Sequence, residues 1–172
     1  MRSGIGVGGY CLTKDPLFAK ASSKQILHQE FDFPLSTVAT KVNQKMTFDI
    51  MSEIKNRFSK KITGKKVLLI GVSYREDTND TRYSPAEGVY SFLKKIRCKL
   101  NFYDPIVNYW EYSGGYTMKK NNLKNFDVYV YLIKHHSFKN LNIQYKNKSL
   151  ILDLNHVLEN KKRIKISKNK NL

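Results

Sequence analysis

The sequence predicts an α/β fold in which a long central helix precedes a Rossmann-like domain built on a parallel sheet. Residues 35–58 carry apolar side chains at the three- and four-residue spacing of an amphipathic helix. From residue 64 onward, short apolar runs alternate with helical stretches, which is the pattern of parallel strands joined by crossover helices.

The N-terminal region begins with a glycine-rich segment. Residues 3–9 have the sequence SGIGVGG, in which four of seven residues are glycine. No strand precedes this segment, so it does not fit the phosphate-binding turn of a βαβ unit. We predict a loop whose backbone approaches another group closely or turns with positive φ. Asp15 and Pro16 then predict a helix start, with Asp15 as the N-cap and Pro16 at the first helical position.

The predicted helix over residues 35–58 is long for a small domain. Its apolar positions include Val38, Val42, Met46 and Ile50, and its opposite face carries charged residues. About 24 residues at a rise of 1.5 Å each give a length of about 36 Å. We therefore expect this helix to bridge two lobes or to pack against a partner subunit.

Four apolar runs predict the strands of the sheet, at residues 67–72, 100–103, 128–133 and 150–153. Ser84 and Pro85 predict the N-cap and the first position of a helix that continues to about residue 96. Short connections between strand, helix and strand indicate a doubly wound parallel sheet.

The composition excludes several classes of protein. Hydrophobic residues make up 41% of the 172 residues and aromatic residues 12%, which is too much for a disordered chain. No apolar run approaches the length of a membrane span, and no signal-peptide pattern is present, so we expect a cytoplasmic protein without a membrane partner. Two cysteines, Cys11 and Cys98, cannot form a disulfide scaffold and are typical of a reducing compartment.

The net charge of +17 suggests nucleic acid as a partner, but the kind of basic residue argues against it. Of 31 basic residues, 25 are Lys and six are Arg, whereas base reading and bidentate phosphate binding rely on Arg. The lysines are scattered except near the C-terminus, where we predict a solvated basic tail. An anionic small molecule is the partner that this charge favours.

Cys11 has two interpretations on the residues alone. Most free cysteines are small buried hydrophobic residues. Cys11, however, lies between the glycine-rich segment and the predicted helix start, where a helix N-terminus and Lys14 would favour a thiolate. A thiol so placed is suited to act as a covalent nucleophile. Cys98, at a predicted helix–strand junction, is expected to be structural.

A second motif follows the first predicted strand. Residues 71–85, GVSYREDTNDTRYSP, lie at the carboxyl edge of the predicted sheet, which is where open α/β sheets bind ligands. Arg75 and Arg82 fall in this loop. They either pair with neighbouring carboxylates and order the loop, or bind a phosphate, and both roles are compatible.

The stretch GVGGYCLTKDP, followed by GKKVLLIGVSYREDTNDTRYSPA, resembles the UDP-glucose/GDP-mannose dehydrogenase family, specifically its UDP-N-acetyl-hexosamine branch. Further similarities are VNQKM, with Asn43 and Met46, and the turn Tyr103-Asp104-Pro105. The resemblance implies an NAD-dependent, two-step oxidation of the C6 alcohol of a UDP-sugar to a carboxylate through a Cys thioester, in polysaccharide biosynthesis.

The resemblance also implies roles for individual residues. Cys11 is the implied nucleophile, and Asp15 the carboxylate that manages protons and water. Arg82 and Lys14 are implied to contact NAD, and no metal site is implied. The substrate-binding positions that the resemblance implies are Gly4, Gly6, Gly8, Tyr74 and Arg75.

The implied organisation has three parts. Residues 1–60 form the active-site Cys loop and the central dimerisation helices, residues 61–160 the UDP-sugar-binding domain, and residues 161–172 the basic tail. A homodimer through the central helix follows from the same resemblance. Two departures from the family stand out: Tyr10 where this branch usually has His, and Asn155 with His156 where relatives usually have Arg after the Asp.

The family's N-terminal NAD-binding domain has no counterpart in these residues. We therefore expect the C-terminal portion of a dehydrogenase, inactive alone. Three alternatives remain open: a chain complemented by a separately encoded N-terminal half, a non-catalytic UDP-sugar-binding or dimerisation module, and a basic interaction domain.

Overall fold

The computed structural model describes residues 4–158, so the predicted basic tail at 161–172 lies outside the described residues. The helical part comes first in the chain. Its α-helices are α1 (Tyr10–Thr13), α2 (Phe18–Ile26) and α3 (Pro34–Ile62), and a 3₁₀ turn (Asp15–Leu17) lies between α1 and α2. Within residues 4–158, no helix combines the length and apolar character that crossing a bilayer requires.

The predicted long helix is confirmed as α3, which has 29 residues and extends beyond both predicted ends. Pro34 lies in its first turn, where the missing proline N–H is not needed. The backbone leaves helical geometry once, at Phe58, with φ −128° and ψ 21°. Lys60 and Lys61 in the last turn complement the negative end of the helix dipole.

The predicted helix start at Asp15 is wrong. Asp15 begins the 3₁₀ turn, its side chain makes no capping hydrogen bond, and α2 begins only at Phe18. The Asp15 carboxylate instead pairs with Lys14, with Nζ and Oδ1 3.1 Å apart. Asp-Pro is compatible with the first turn of an α-helix and with a 3₁₀ turn. Proline fixes φ, but it does not decide between the hydrogen bonds of an α-helix, which span four residues, and those of a 3₁₀ turn, which span three.

Six strands and one further α-helix form the second part of the described chain, together with short 3₁₀ turns. The strands are β1 (Lys66–Ile70), β2 (Lys99–Tyr103), β3 (Tyr109–Trp110), β4 (Gly115–Tyr116), β5 (Val128–Tyr131) and β6 (Leu150–Asp153). The helix α4 (Pro85–Lys95) connects β1 to β2, and the Ser84 hydroxyl caps it by accepting a hydrogen bond from the Ala86 N–H at 3.2 Å. The cap and the four long strands were predicted, whereas the short β3–β4 hairpin was not.

The four long strands form one fully parallel sheet in the order β2-β1-β5-β6. The chain therefore runs from β1 to β2 on one side and later crosses past β1 to reach β5 on the other side. This reversal places a topological switch point between the carboxyl ends of β1 and β5.

The two faces of the sheet are covered differently. One face packs against α3 and α4, with a core that includes Met51, Ile54, Val89 and Leu93. The other face packs against loops and 3₁₀ turns, and residues 104–158 contain no α-helix. The sheet is thus wound in both directions from β1, but α-helices cover only one of its faces.

Candidate functional site

A cavity of about 450 Å³ lies at the switch point. The glycine-rich segment and α3 form one side of it, and the loops that follow β1, β5 and β6 form the other. The lining residues are Gly4, Gly6, Val7, Asn43, Met46, Glu76, Ile133, Lys134 and Asn155. A second recess of about 340 Å³ adjoins this cavity, since both are lined by Glu76 and Lys134.

Three hydrogen bonds attach the glycine-rich segment to α3. The Val7 N–H donates to Asn43 Oδ1 at 2.8 Å, and Asn43 Nδ2 donates back to the Val7 carbonyl at 2.9 Å. One helical turn further on, the Thr47 hydroxyl donates to the Ile5 carbonyl at 2.7 Å. Residues four apart on a helix share a face, so both side chains reach the same stretch of backbone.

Two glycines of the segment are required by close approach. At Gly6, φ is +114°, and a Cβ there would lie 3.0 Å from Asn43 Oδ1. A Cβ at Gly8 would lie 2.6 Å from the Tyr83 carbonyl oxygen and 2.7 Å from Tyr74 Cβ, closer than real atoms approach. The prediction of a close-approach loop is therefore confirmed.

Tyr74 contacts the glycine-rich segment, whereas Arg75 is exposed to solvent. Tyr74 packs against Gly8, and its N–H donates to the Asp80 carbonyl at 2.9 Å. Arg75 is exposed, with its guanidinium carbon 5.8 Å from the centre of the Tyr74 ring. Of the residues predicted to bind substrate, the cavity itself collects Gly4 and Gly6.

Arg82 takes the loop-ordering role that the sequence left open. Its Nε and Nη2 donate to the two carboxylate oxygens of Asp80 at 2.9 and 2.7 Å. This pairing raises the pKa of Arg82 and lowers that of Asp80. The guanidinium also lies 4.7 Å from the centre of the Tyr10 ring, which places Arg82 beside the residue that precedes Cys11.

Cys11 is exposed and lies within α1, so its interpretation as a buried hydrophobic residue is wrong. The helix that was predicted to begin at Asp15 and to favour a Cys11 thiolate begins only at Phe18, and Cys11 is instead the second residue of α1, which has four residues. Cys98 is partly buried and its Sγ donates to the Ile62 carbonyl at 3.1 Å. Burial raises the pKa of the Cys98 thiol.

These environments predict unequal thiol reactivity. We expect iodoacetamide to modify Cys11 at least about tenfold faster than Cys98 at neutral pH, because Cys11 is exposed and burial disfavours the Cys98 thiolate. Peptide mass spectrometry over a time course measures both rates, with Cys11→Ser as the control that leaves only the slow reaction. Equal rates would contradict the exposure argument.

Asp104 and His135 form a buried pair that was not predicted from the sequence. The Asp104 carboxylate accepts hydrogen bonds from the N–H groups of Val72 at 2.8 Å and of Ile106 and Val107 at 3.0 Å each. Its Oδ2 also lies 3.1 Å from His135 Nε2. Both side chains are fully buried. The pair joins the loops that follow β1, β2 and β5.

The hydrogen bonds of His135 assign its tautomer. Its Nδ1 accepts from the Asp77 N–H at 3.0 Å, so Nε2 carries the proton that is donated towards Asp104. Burial disfavours the ionised Asp104 carboxylate, but the hydrogen bonds from His135 and from the Ile106 and Val107 N–H groups outweigh it. They hold the pKa of Asp104 below its ordinary value.

A signal for this pair was present in the sequence. Asp104 directly follows the predicted strand at residues 100–103, and His135 closely follows the one at 128–133. The carboxyl ends of parallel strands meet at one edge of a sheet, so polar residues at these positions are expected to lie close together.

Comparison with known proteins agrees with this geometry. A model described as the UDP binding domain of the UDP-glucose/GDP-mannose dehydrogenase family matches residues 68–160, which include the last three residues of β1, all of β2 to β6 and the sheet edge beside the cavity. The chain belongs to the UDP-glucose/GDP-mannose dehydrogenase family.

Individual members of this dehydrogenase family match most of the chain. The UDP-N-acetyl-D-mannosamine dehydrogenase of Methanococcus aeolicus is 30% identical over 162 residues, which cover 94% of this chain and 34% of that relative. The solved structure of UDP-D-ManNAc dehydrogenase from Pyrococcus horikoshii is 28% identical with a TM-score of 0.64, over 91% of this chain and 36% of that one.

A second solved structure gives a similar result. NDP-N-acetyl-D-galactosaminuronic acid dehydrogenase from Methanosarcina mazei is 29% identical with a TM-score of 0.66, over 83% of this chain and 31% of that one. The chain thus spans about a third of the length of the curated relatives it matches, in their C-terminal part. The predicted fold class and the predicted family are both confirmed.

Residues 4–158 do not form a cradle for a dinucleotide such as NAD. The glycine-rich segment precedes a helix of only four residues, and its Val7 N–H is bound by Asn43. The two residues predicted to contact NAD, Arg82 and Lys14, are each paired with a carboxylate of their own loop. Residues 4–158 therefore do not form a binding site for NAD by themselves.

Proposed function

We propose that this chain supplies the UDP-sugar-binding part of a nucleotide-sugar 6-dehydrogenase, which oxidises the C6 alcohol of a UDP-sugar to a carboxylate with NAD. The observation that carries the proposal is the cavity at the switch point. Its volume of about 450 Å³ lies within the usual range of ligand sites. It is formed in part by the domain whose family model is described as UDP binding.

Among the described residues that line the cavity, Lys134 is the one basic residue and supports an anionic nucleotide as ligand, and Glu76 is the one acidic residue. Lys134 lines both the cavity and the adjoining recess. Among residues 4–158, no carboxylate forms an ion pair with Lys134, so its ammonium group is available to a diphosphate. In this proposal Tyr74 and Arg75 contact the substrate beside Gly8, and the net charge of +17 attracts it from solution.

We assign the covalent chemistry to Cys11. In this proposal the C6 alcohol first loses a hydride and a proton to become an aldehyde. Cys11 Sγ then adds to the aldehyde carbon as a thiohemiacetal, and loss of a second hydride gives the thioester. Water cleaves the thioester to the carboxylate and the free thiol, and Asp15 manages the protons and the water. The exposure of Cys11, and the position of Arg82 against neighbouring Tyr10, support this assignment. NAD, when bound, would accept the hydrides, and the chain would act in the cytoplasm.

A non-catalytic module that binds UDP-sugars is the second candidate function. The observation that favours it is that residues 4–158 supply the whole lining of the cavity, so that binding there needs no cofactor. Both candidates include a homodimer, which the exposed apolar stripe on α3 supports. Leu35, Val38 and Val42 lie on this stripe with exposed fractions of 83%, 57% and 54%.

Ligand-induced stabilisation tests the proposal. We expect a saturating UDP-N-acetyl-hexosamine or UDP, at about 100 times its dissociation constant, to raise the melting temperature by about 5–10 °C, because a ligand that binds only the folded state stabilises it. Lys134→Ala should reduce this rise, whereas Lys55→Ala, an exposed lysine on α3, should not.

Other ligands separate the alternatives. An equal rise with ADP or sulfate would indicate binding to general positive charge and would contradict a UDP site, as would no rise with UDP. Residues 1–172 alone, given NAD and the UDP-sugar, are expected to produce no NADH. Turnover by this polypeptide alone would mean that these residues hold NAD themselves, and it would contradict the poor fit between residues 4–158 and NAD.

A further inference from the structure

The side chain of Asn43 satisfies both backbone groups of one residue in the glycine-rich segment. Its Oδ1 accepts from the Val7 N–H at 2.8 Å and its Nδ2 donates to the Val7 carbonyl at 2.9 Å. This pairing copies the way one strand residue binds another across a sheet. A single amide thus substitutes for the strand partner that the segment lacks.

The segment is shaped to receive this amide. At Gly6 any side chain would have a Cβ 3.0 Å from Asn43 Oδ1 and 3.3 Å from the Asn43 carbonyl oxygen. The backbone can therefore lie against α3 only because this residue is glycine. On the other side of Gly6, the Thr47 hydroxyl holds the Ile5 carbonyl at 2.7 Å.

The glycine-rich segment that Asn43 binds forms part of the wall of the cavity. Asn43 lines the cavity together with Gly4, Gly6 and Val7. The segment continues directly into α1, which carries Cys11.

We propose that Asn43 is a positioning residue that fixes the glycine-rich segment as one wall of the UDP-sugar site and thereby sets the position of Cys11. This inference rests on the proposed function. The assignment requires an amide, because the site needs one acceptor and one donor at fixed positions. Aspartate supplies only acceptors and would face the Val7 carbonyl oxygen, and alanine supplies neither group. Asn43→Ala and Asn43→Asp should therefore have effects of the same kind.

The first measurements use the unliganded chain. We expect Asn43→Ala to speed hydrogen exchange of the Val7 amide about tenfold, measured by NMR, and to change the alkylation rate of Cys11, because the loss of two neutral hydrogen bonds frees the segment. Asn56→Ala, an exposed asparagine on the same helix, is the matched control and should change neither. These readouts do not depend on whether UDP binds.

The second measurement is the dissociation constant of UDP by calorimetry. Asn43→Ala and Asn43→Asp should each raise it about tenfold. Val89→Ala, on the buried face of α4, should lower the melting temperature by several degrees and leave this constant unchanged. This control variant shows whether weaker UDP binding comes from a misplaced glycine-rich segment or from a general loss of stability.

Three outcomes overturn the inference. One is weaker UDP binding by Asn43→Ala with unchanged Val7 exchange, which would make Asn43 a direct ligand contact. Another is a loss of UDP affinity in Val89→Ala as large as in Asn43→Ala. The third is unchanged Val7 exchange together with unchanged UDP binding. If wild type itself does not bind UDP, the proposed function fails, and the exchange data still decide whether Asn43 holds the segment.

Discussion

Replacing Gly71 by alanine is expected to lower the free energy of unfolding by about 3 kcal/mol. Gly71 follows β1 with a φ of +78°, and a Cβ there would lie 2.6 Å from the carbonyl oxygen of Ile133 and 3.0 Å from its nitrogen. Both are backbone atoms of the segment that directly follows β5, the neighbouring strand. They cannot move aside without disturbing the pairing of β1 with β5.

Gly64→Ala provides the matched control. Gly64 has a similar φ of +71°, but a Cβ there would have no atom within 4 Å. In this variant alanine must adopt a positive φ, but its Cβ contacts no other atom. We therefore expect the free energy of unfolding to fall by about 1 kcal/mol. Urea unfolding followed by circular dichroism measures both losses. Equal losses would show that the collision with Ile133 is relieved by small shifts.

The second large effect is expected at Asp104. Asp104→Ala should lower the free energy of unfolding at neutral pH by about 3–5 kcal/mol, because it leaves buried donors of Val72, Ile106, Val107 and His135 without an acceptor. Asp49→Ala, on the exposed side of α3, should cost less than about 0.5 kcal/mol. If Asp104→Ala does not fold, Asp104→Asn retains one acceptor and permits the measurement.

The effect of Asp104 should depend on pH in a defined direction. Its pKa in the folded protein lies below its ordinary value, so the ionised carboxylate stabilises the fold at pH values above the unfolded pKa of about 4. This contribution is lost as the pH falls through the folded pKa. The gap between wild type and Asp104→Asn should therefore narrow below about pH 4. A gap that stays constant down to pH 3 would mean that the charge is not what stabilises the loops.

The long helices and strands could be predicted from the sequence because each depends on a pattern among residues that are close in sequence. The apolar run before Gly71 predicted β1, Ser84 with Pro85 predicted the cap of α4, and helical spacing predicted α3. The β3–β4 hairpin was not accessible. Its strands have two residues each, which is too short for an alternating pattern to be recognised.

The site was only partly accessible because its contacts are distant in sequence. The glycine content of residues 3–9 predicted a close approach, but not what would be approached. Asn43 binds Val7 across 36 residues, and Thr47 binds Ile5 across 42. Asp104 and His135 become neighbours only once the strand order places β2 and β5 on either side of β1. Local pattern does not specify that order.

The continuity of α3 has a consequence for how the site can vary. The same helix presents Asn43 and Thr47 to the glycine-rich segment and Met51 and Ile54 to the core of the sheet domain. Each residue turns an α-helix by about 100°, so one inserted residue between Thr47 and Met51 would rotate these two sets of side chains apart by that angle. The shape of the cavity therefore depends on the angle between these two sets of side chains around the axis of α3. Insertions or deletions in this part of α3 should be tolerated far less than substitutions of single side chains.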